Sequence, residues 1–491
     1  MMRAGSLTSL LAAALLLGAC GGGGGSGGGG SGGGGTGGGA ASGGTGTTPP
    51  AGQGPSNAGC SLAARQQWAD ATIREWYLFP ETLPATAPIG IATVPDFINA
   101  LTETARAQGR DRFFTFLTSI AEEEAFFRTG SSAGFGIRLQ TDAAARRVSV
   151  AESFETGPGF RAGIDRGDEI LAIGARPDAL RPTADIIAAE GEAGISAALG
   201  PNQAGLARTL RLRRADGSEQ TVTVVKADYD LEPLSPRYGA RILSDNGRQV
   251  GYLNLRTFIT SAEAPLRAAF DRFRAAGVTD LIIDFRYNGG GLLSTAELMG
   301  DLLGRNRFAS DVFGQTVYRP EKAANNRTRR FNPRPESLAP TRIAFITTAA
   351  SASASEAVIN GMIPYLPGNL ALVGANTAGK PVGQIAEDRS ACDDRLRIVA
   401  FSTRNAAGSD DYFDGLARTV GASCAAADEV TRPLGDSNEA SVRQALDFLA
   451  GRGTCTPIAT GQRGQSLARA RPGLLTPARP SVAQREVPGL H

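Results

Sequence analysis

Residues 278–291 read VTDLIIDFRYNGGG, and this stretch decides the fold class. Leu281, Ile282, Ile283 and Phe285 stand almost side by side in a run too short for an amphipathic helix. Such a run fits a buried strand, and Gly289, Gly290 and Gly291 lead it into a glycine-rich loop. Upstream lie a strand candidate, VGYLNLRTF (250–258), and a helix candidate, SAEAPLRAAFDRFRAAG (261–277), closed by Gly277. Downstream, ELMGDLLGR (297–305) fits a helix and TRIAFITTAA (341–350) a strand. SASASEAVINGMI (351–363) starts another helix, and NLALVGANT (369–377) is a further strand. Strands alternating with helices predict a mixed α/β core over 237–455, with its chemistry at the strand ends. Residues 305–340, rich in Arg and Asn, read as a long surface excursion.

Before the core, the spacing changes. VSVAESF, EILAIG, TLRLRR and TVTVVKA are short strand candidates between turns, and ADIIAAE is a short helix. Gly134-Phe135-Gly136-Ile137 and the run Gly157–Ile164 leading to Gly167-Asp168-Glu169-Ile170 make residues 133–228 resemble a PDZ domain. That resemblance implies that the backbone of Phe135, Gly136 and Ile137 captures a peptide's C-terminal carboxylate, the peptide adding a strand beside it. Residues 60–130 have helical spacing cut by Pro80, Pro84, Pro88 and Pro95, and predict a small N-terminal helical domain.

The ends are different again. MMRAGSLTSLLAAALLLGAC has the length and flanks of a secretion signal over 1–19. Leu17-Gly18-Ala19-Cys20 looks like the lipidation box of bacterial lipoproteins, with Cys20 carrying the acyl chains. Gly21 follows, and the resemblance points to an outer-membrane anchor facing the periplasm. Residues 20–59 are a lipidated cysteine and a glycine-rich flexible linker, and 456–491 are expected as a disordered tail. Charged residues make up 20 % of 491 and the net charge is +2, so no polyanion-binding surface is indicated, nucleic acid included. Four cysteines remain in an exported body, with three possible pairings. The expected ones are Cys392–Cys424 and, by elimination, Cys60–Cys455. The absence of a C-x-x-C pair argues against thiolate-metal or redox chemistry.

The sequence has one histidine, His491. A Ser-His-Asp triad and imidazole zinc sites are thereby excluded, and any proton acceptor must be a carboxylate, a cysteine or a lysine. LALVGANTAGKPVGQ (370–384) contains G-x-x-x-x-G-K, but Pro381 stands where a phosphate loop needs Ser or Thr. Lys380 has a different use. It is one of three lysines in an Arg-dominated chain, at the end of a core strand. A buried lysine can be neutral and accept a serine proton, as an arginine cannot. Ser351, Ser353 and Ser355 stand at a strand-to-helix junction, where a hydroxyl and the following amide can serve nucleophile and oxyanion. Helix capping by these serines and by Glu356, and a buried salt bridge at Lys380, are the structural alternatives.

GYLNLRTF, DFRYNGGG, SASASE and NTAGK together, behind the PDZ-like block, resemble the carboxyl-terminal processing proteases of peptidase family S41. The resemblance implies an S41, ClpP/crotonase-like core and a Ser-Lys dyad needing no cofactor or metal. It implies Ser353 as nucleophile, Lys380 as base, Gln384 as its orienting partner, and Ala354 and Gly290 as oxyanion donors, Gly289 and Gly291 being neighbouring choices. Pro381 departs from the family, which usually has Gly there, and the serine-to-lysine spacing is longer by two residues. RNAAGSDDYFDGL (404–416), between Cys392 and Cys424, resembles a lipoprotein subgroup. The implied activity is endopeptidic cleavage of exported proteins near their C-termini. A non-catalytic peptide-binding scaffold and a small ester or amide hydrolase are the alternatives.

Overall fold

In the computed structural model, which describes residues 58–461, 464 and 472–491, the stretch around Ile282 forms the strand Asp280–Asp284, buried at every position. It lies inside a six-stranded sheet ordered Ala240–Asp245, Arg248–Asn254, Asp280–Asp284, Arg342–Thr347, Leu370–Gly374 and Ala422–Ala425. The first pair is antiparallel and the others are parallel. Alternate side chains leave on opposite faces. Leu281, Ile283, Phe285, Ile343 and Phe345 join a core with the helices Glu263–Ala275, Leu293–Leu302 and Ala354–Met362. Ile282, Ala344, Ile346 and Val373 meet Val442, Ala445 and Leu449 of the helix Ala440–Ala450 on the other face. Each such Leu or Ile stabilises the fold by roughly 1.5–3 kcal/mol.

A second, five-stranded sheet is built from distant segments. Asp394–Arg404 pairs with Phe116–Ser119, Val312–Tyr318 and Val382–Arg389, and Val312–Tyr318 also pairs with Arg327–Arg330. The stretch 305–340 is therefore not only a surface excursion, because two of its segments are strands. The helices Leu62–Trp76 and Val94–Leu101 press Ile73, Phe97 and Leu101 onto Leu396, Ile398 and Val399 of this sheet.

A third sheet has seven strands, all antiparallel, in the path Gly473–Leu474, Ile137–Asp142, Arg147–Ser153, Glu169–Gly174, Ala207–Arg213 and Glu219–Val225. Arg181–Pro182 pairs with Glu169–Gly174 beside that path. The helix Thr183–Leu199, kinked at Gly191 with φ 66°, closes its core with Ile186, Ile195 and Leu199.

Two expectations are corrected. The disulfides are Cys60–Cys392 and Cys424–Cys455, not Cys392–Cys424 and Cys60–Cys455. Cys424 lies on an edge strand of the parallel sheet, and Thr456 returns beside it, its carbonyl accepting the Ala425 N–H at 2.7 Å. Cys60 is brought to Cys392 where Arg389 donates to the Gly59 and Ala64 carbonyls. The expected disordered tail also fails over 472–491. That part forms the strand Gly473–Leu474 and the helix Val482–Glu486, with Val482, Val487, Leu490 and His491 buried. Its composition lacks a core of its own, but its few apolar side chains find one already built by Phe126, Phe154, Leu231 and Ile259. Residues 1–19, Cys20 and the glycine-rich stretch up to 46 lie outside the described residues. No helix among the described residues is long and apolar enough to cross a membrane.

Candidate active site

The turn after the strand Arg342–Thr347 is held by its own serines. Ser351 Oγ donates to the Phe285 carbonyl at 2.7 Å, and Ser355 Oγ donates to the Asn288 carbonyl at 3.1 Å. The Ala352 N–H reaches the same Asn288 carbonyl at 3.1 Å. Two of the three candidate hydroxyls are thus spent on fixing the turn against the DFRYNGGG loop. Ser353 lies between them, half-buried, as the N-cap of Ala354–Met362 with φ 54° and ψ −113°. A non-glycine residue there is strained by roughly 1–3 kcal/mol, and such strain persists where neighbours over-determine the turn. The geometry presents Ser353 at a helix N-terminus, beside the Ala354 amide, whose position at N1 leaves it without an intrahelical acceptor.

The glycine loop lies directly against this residue. A Cβ on Gly290, whose φ is +126°, would stand 2.8 Å from Ser353 Cβ and 3.3 Å from Ala354 N. The Gly290 N–H, expected as an oxyanion donor, is instead committed to Asn288 Oδ1 at 2.9 Å. The Gly289 N–H meets a main-chain carbonyl, that of Glu486, at 3.0 Å.

Lys380 follows the strand Leu370–Gly374 and precedes Val382–Arg389. It is 9 % exposed, and its Nζ donates to Gln384 Oε1 at 2.9 Å and lies 4.9 Å from the centre of the Phe114 ring. Gln384 is held in turn, its Nε2 donating to the Phe114 carbonyl. Burial pushes the Lys380 amine below the ordinary lysine range, and the Glu486 charge partly offsets this. The Pro381 carbonyl accepts from Thr403 N at 2.8 Å, and the strand Val382–Arg389 starts directly after it. No helix opens at Lys380, and its own N–H is taken by a carboxylate, so nothing there cradles a phosphate.

That carboxylate is Glu356, whose place in the first turn suits capping and the serine junction alike. Its Oε2 accepts the Ser353 N–H at 3.0 Å and the Lys380 N–H at 2.8 Å, and its Oε1 accepts the Gly379 N–H at 2.6 Å. One buried side chain therefore clamps the serine turn to the lysine turn. Burial raises the pKa of this carboxyl, and the N–H donors, with Thr377, work against that rise.

Ser353, Ala354, Lys380 and Gln384 line one cavity of about 240 Å³, with Gly291, Val382, Phe401, Val482 and Glu486 among its other walls. Among the described residues, Ser353 and Lys380 share this space without a direct hydrogen bond. A larger cavity, about 570 Å³, lies beyond the Gly289 turn and is lined by Arg286, Tyr287 and Asp428, but by neither Ser353 nor Lys380. The Phe135, Gly136 and Ile137 backbone is occupied. The Phe135 and Ile137 N–H groups donate to the main-chain oxygen of His491 at 3.0 and 3.2 Å. The His491 ring is buried beside Leu475 and is not part of the serine cavity.

Known proteins resemble the chain over these same parts. Residues 249–407 match the family model of peptidase family S41. A chloroplastic C-terminal processing peptidase of Tetradesmus obliquus is 28 % identical over 168 residues, 33 % of this chain and 35 % of its own. A carboxyl-terminal-processing protease of Picosynechococcus is 26 % identical over 253 residues, 51 % of this chain and 55 % of its own. The chain thus spans from about a third to just over half of the length of these curated relatives. A crystal structure from Bacteroides fragilis bearing the S41 name superposes with a TM-score of 0.60 at 21 % identity, covering 78 % of this chain and 97 % of that one. The match to peptidase family S41 thus covers about a third of the chain. The chain has the mixed α/β fold of the S41, carboxyl-terminal-processing-protease-like peptidases.

Proposed function

We propose that this chain is a serine endopeptidase in which Ser353 is the nucleophile and Lys380 the general base. The observation that carries the reading is a strained, half-buried serine at a helix N-terminus, lining one cavity with a buried lysine that a glutamine orients. Lys380 Nζ, when neutral, takes the Ser353 hydroxyl proton as Oγ bonds to the scissile carbonyl carbon. The C–O π pair moves onto oxygen, which faces the Ala354 N–H and an amide of the Gly289–Gly291 turn. Losing one such donor costs about 3 kcal/mol of transition-state stabilisation. The ammonium then protonates the leaving amine as the C–N bond breaks. A water repeats the sequence on the acyl-serine and restores both groups. Gln384 holds the amine in place.

The substrates proposed are exported proteins cut near their C-termini, as the names of the relatives suggest. The boundaries given for the PDZ-like, helical and core regions belong to this proposal. So do Cys20 as the lipidated residue and an outer-membrane position facing the periplasm. The test is hydrolysis of an unfolded protein by the purified body. Ser353→Ala and Lys380→Arg must each abolish it while circular dichroism stays unchanged. Turnover near the unmodified rate in either variant refutes the assignment.

A further inference from the structure

The segment 472–491 lies along both places that an incoming peptide would need. Near its end it pairs with the free edge of Ile137–Asp142. His491 N donates to the Ile137 carbonyl at 2.9 Å, Leu139 N donates to the Gly489 carbonyl at 2.9 Å, and Leu490 opposes Arg138 in antiparallel register. Gly473 and Leu474 continue the same edge opposite Thr141 and Gln140. Gly489 has φ +81°, and a Cβ there would press on the Leu139 carbonyl at 2.9 Å, so the approach is backbone to backbone.

Five residues earlier, the segment crosses the serine cavity. Val482 and Glu486 form part of its wall with Ser353 and Lys380. The Glu486 carbonyl accepts the Gly289 N–H, and a Cβ on Gly289 would overlap the Arg485 carbonyl oxygen. Arg485 is fastened by the Phe113 carbonyl at 3.0 Å and by the Phe116 ring at 3.9 Å. Arg138 Nε holds the Pro488 carbonyl at 2.9 Å. Main-chain pairing at a strand edge, with a carbonyl received by a glycine-loop amide, is the way an extended peptide is bound.

We propose that residues 472–491 are a built-in occupant of the peptide track, closing the serine cavity until an extended peptide displaces them from the edge Phe135–Thr141. This rests on the reading of Ser353 and Lys380 as the reacting pair only for its catalytic consequence. The pairing itself is independent of it. A tethered occupant competes at an effective concentration on the order of millimolar, so a free peptide binds weakly until the strap is loosened.

The experiment uses a fluorescent peptide with the sequence of residues 481–491 and the Ser353→Ala background, in which nothing is cleaved. Anisotropy is read for the full chain, for a chain lacking 472–491 and for Leu490→Asp in the full chain. At least ten-fold tighter binding is expected on removal of the strap, and a smaller gain for Leu490→Asp. Hydrogen exchange at the Ile137, Leu139 and Gly289 amides is expected to speed up in Leu490→Asp. If the shortened chain does not fold, Leu490→Asp and its exchange pattern decide. Equal peptide affinity with unchanged exchange overturns the proposal. With Ser353 restored, loosened chains that bind the peptide yet hydrolyse nothing leave the strap standing and overturn the protease reading.

Discussion

Two lysines in this chain are buried, and they sit in different company. Lys226, wholly covered, donates to the Gly200 and Pro201 carbonyls at 2.8 and 2.9 Å and to Asn202 Oδ1 at 3.0 Å, with the Phe135 ring 4.6 Å away. All three ammonium protons have acceptors. Lys380 has, among the described residues, one acceptor, Gln384, and an aromatic face. Burial lowers both, Lys226 to about 8. Desolvation alone therefore does not separate a structural lysine from the proposed base. What separates them is whether the amine has protons and lone pair left over for a third party. Lys226 braces the turn at Gly200, while Lys380 opens onto a cavity containing a serine.

The sharpest way to break this contrast is to remove each amine in turn. Lys380→Met should reduce hydrolysis of an unfolded protein by about 10⁴-fold or more, as losing one member of a coupled pair does. Lys226→Met should leave turnover per folded molecule within about three-fold, because three-acceptor lysines do no proton transfer. Equal losses in both variants would erase the distinction. The pH profile sharpens it. With the neutral amine as the proposed base, kcat/KM should rise with pH, with its midpoint below the ordinary lysine value of 10.5. A midpoint at or above that value counts against Lys380.

The next effect concerns the neighbour of Lys226. Burial, with some help from the Lys226 charge, lowers His491 from 6.5 to about 4, the Leu475 carbonyl opposing. The folded state therefore resists taking a proton that the unfolded chain accepts. Its stabilisation is complete above pH 6.5 and is lost as pH falls toward 4, by up to about 3 kcal/mol. Denaturant unfolding at pH 7 and 4.5 should show a steeper loss in the unmodified protein than in His491→Phe. Parallel losses would contradict the buried neutral ring.

Smaller again is the effect of Glu356→Gln, which loosens the clamp between the serine turn and the lysine turn. It should lower kcat about 10- to 100-fold with KM nearly constant, the pattern of misplaced groups and not of lost binding. A change in KM alone would make Glu356 merely a cap. The smallest expected effect is on stability in Lys226→Met. Leaving the Gly200, Pro201 and Asn202 oxygens unpaired costs about 1–3 kcal/mol, measurable as a lower denaturation midpoint.

Much of this was written locally in the chain. The run 281–283 and the apolar stretches at 343–346 and 370–373 each mark a strand by their own residues, and the three lie side by side in one sheet. The second sheet was hidden for the opposite reason. Asp394–Arg404 carries Arg395 and Arg397 between its apolar residues, and they look like surface until Glu123 arrives to pair with both. Ser353, Lys380 and Gln384 were marked by short motifs. The second half of the Glu356 clamp was not, since the Gly379 and Lys380 N–H groups that donate to it are 23 and 24 residues away. The occupant at Ile137 comes from the opposite end of the described chain, and its recognition is mostly main chain, which no residue pattern records. The cystine partners were illegible on the same ground.

The Cys60–Cys392 bond has a mechanical consequence. It joins positions 332 apart in sequence, and Cys392 lies in the turn between Val382–Arg389 and Asp394–Arg404. Force applied to the backbone at residue 60 thus reaches that hairpin through the disulfide as well as the helix Leu62–Trp76 through the chain. The hairpin is also the one that carries Gln384. A pull on this end would reach, through one covalent bond, the hairpin whose Gln384 meets the Lys380 amine.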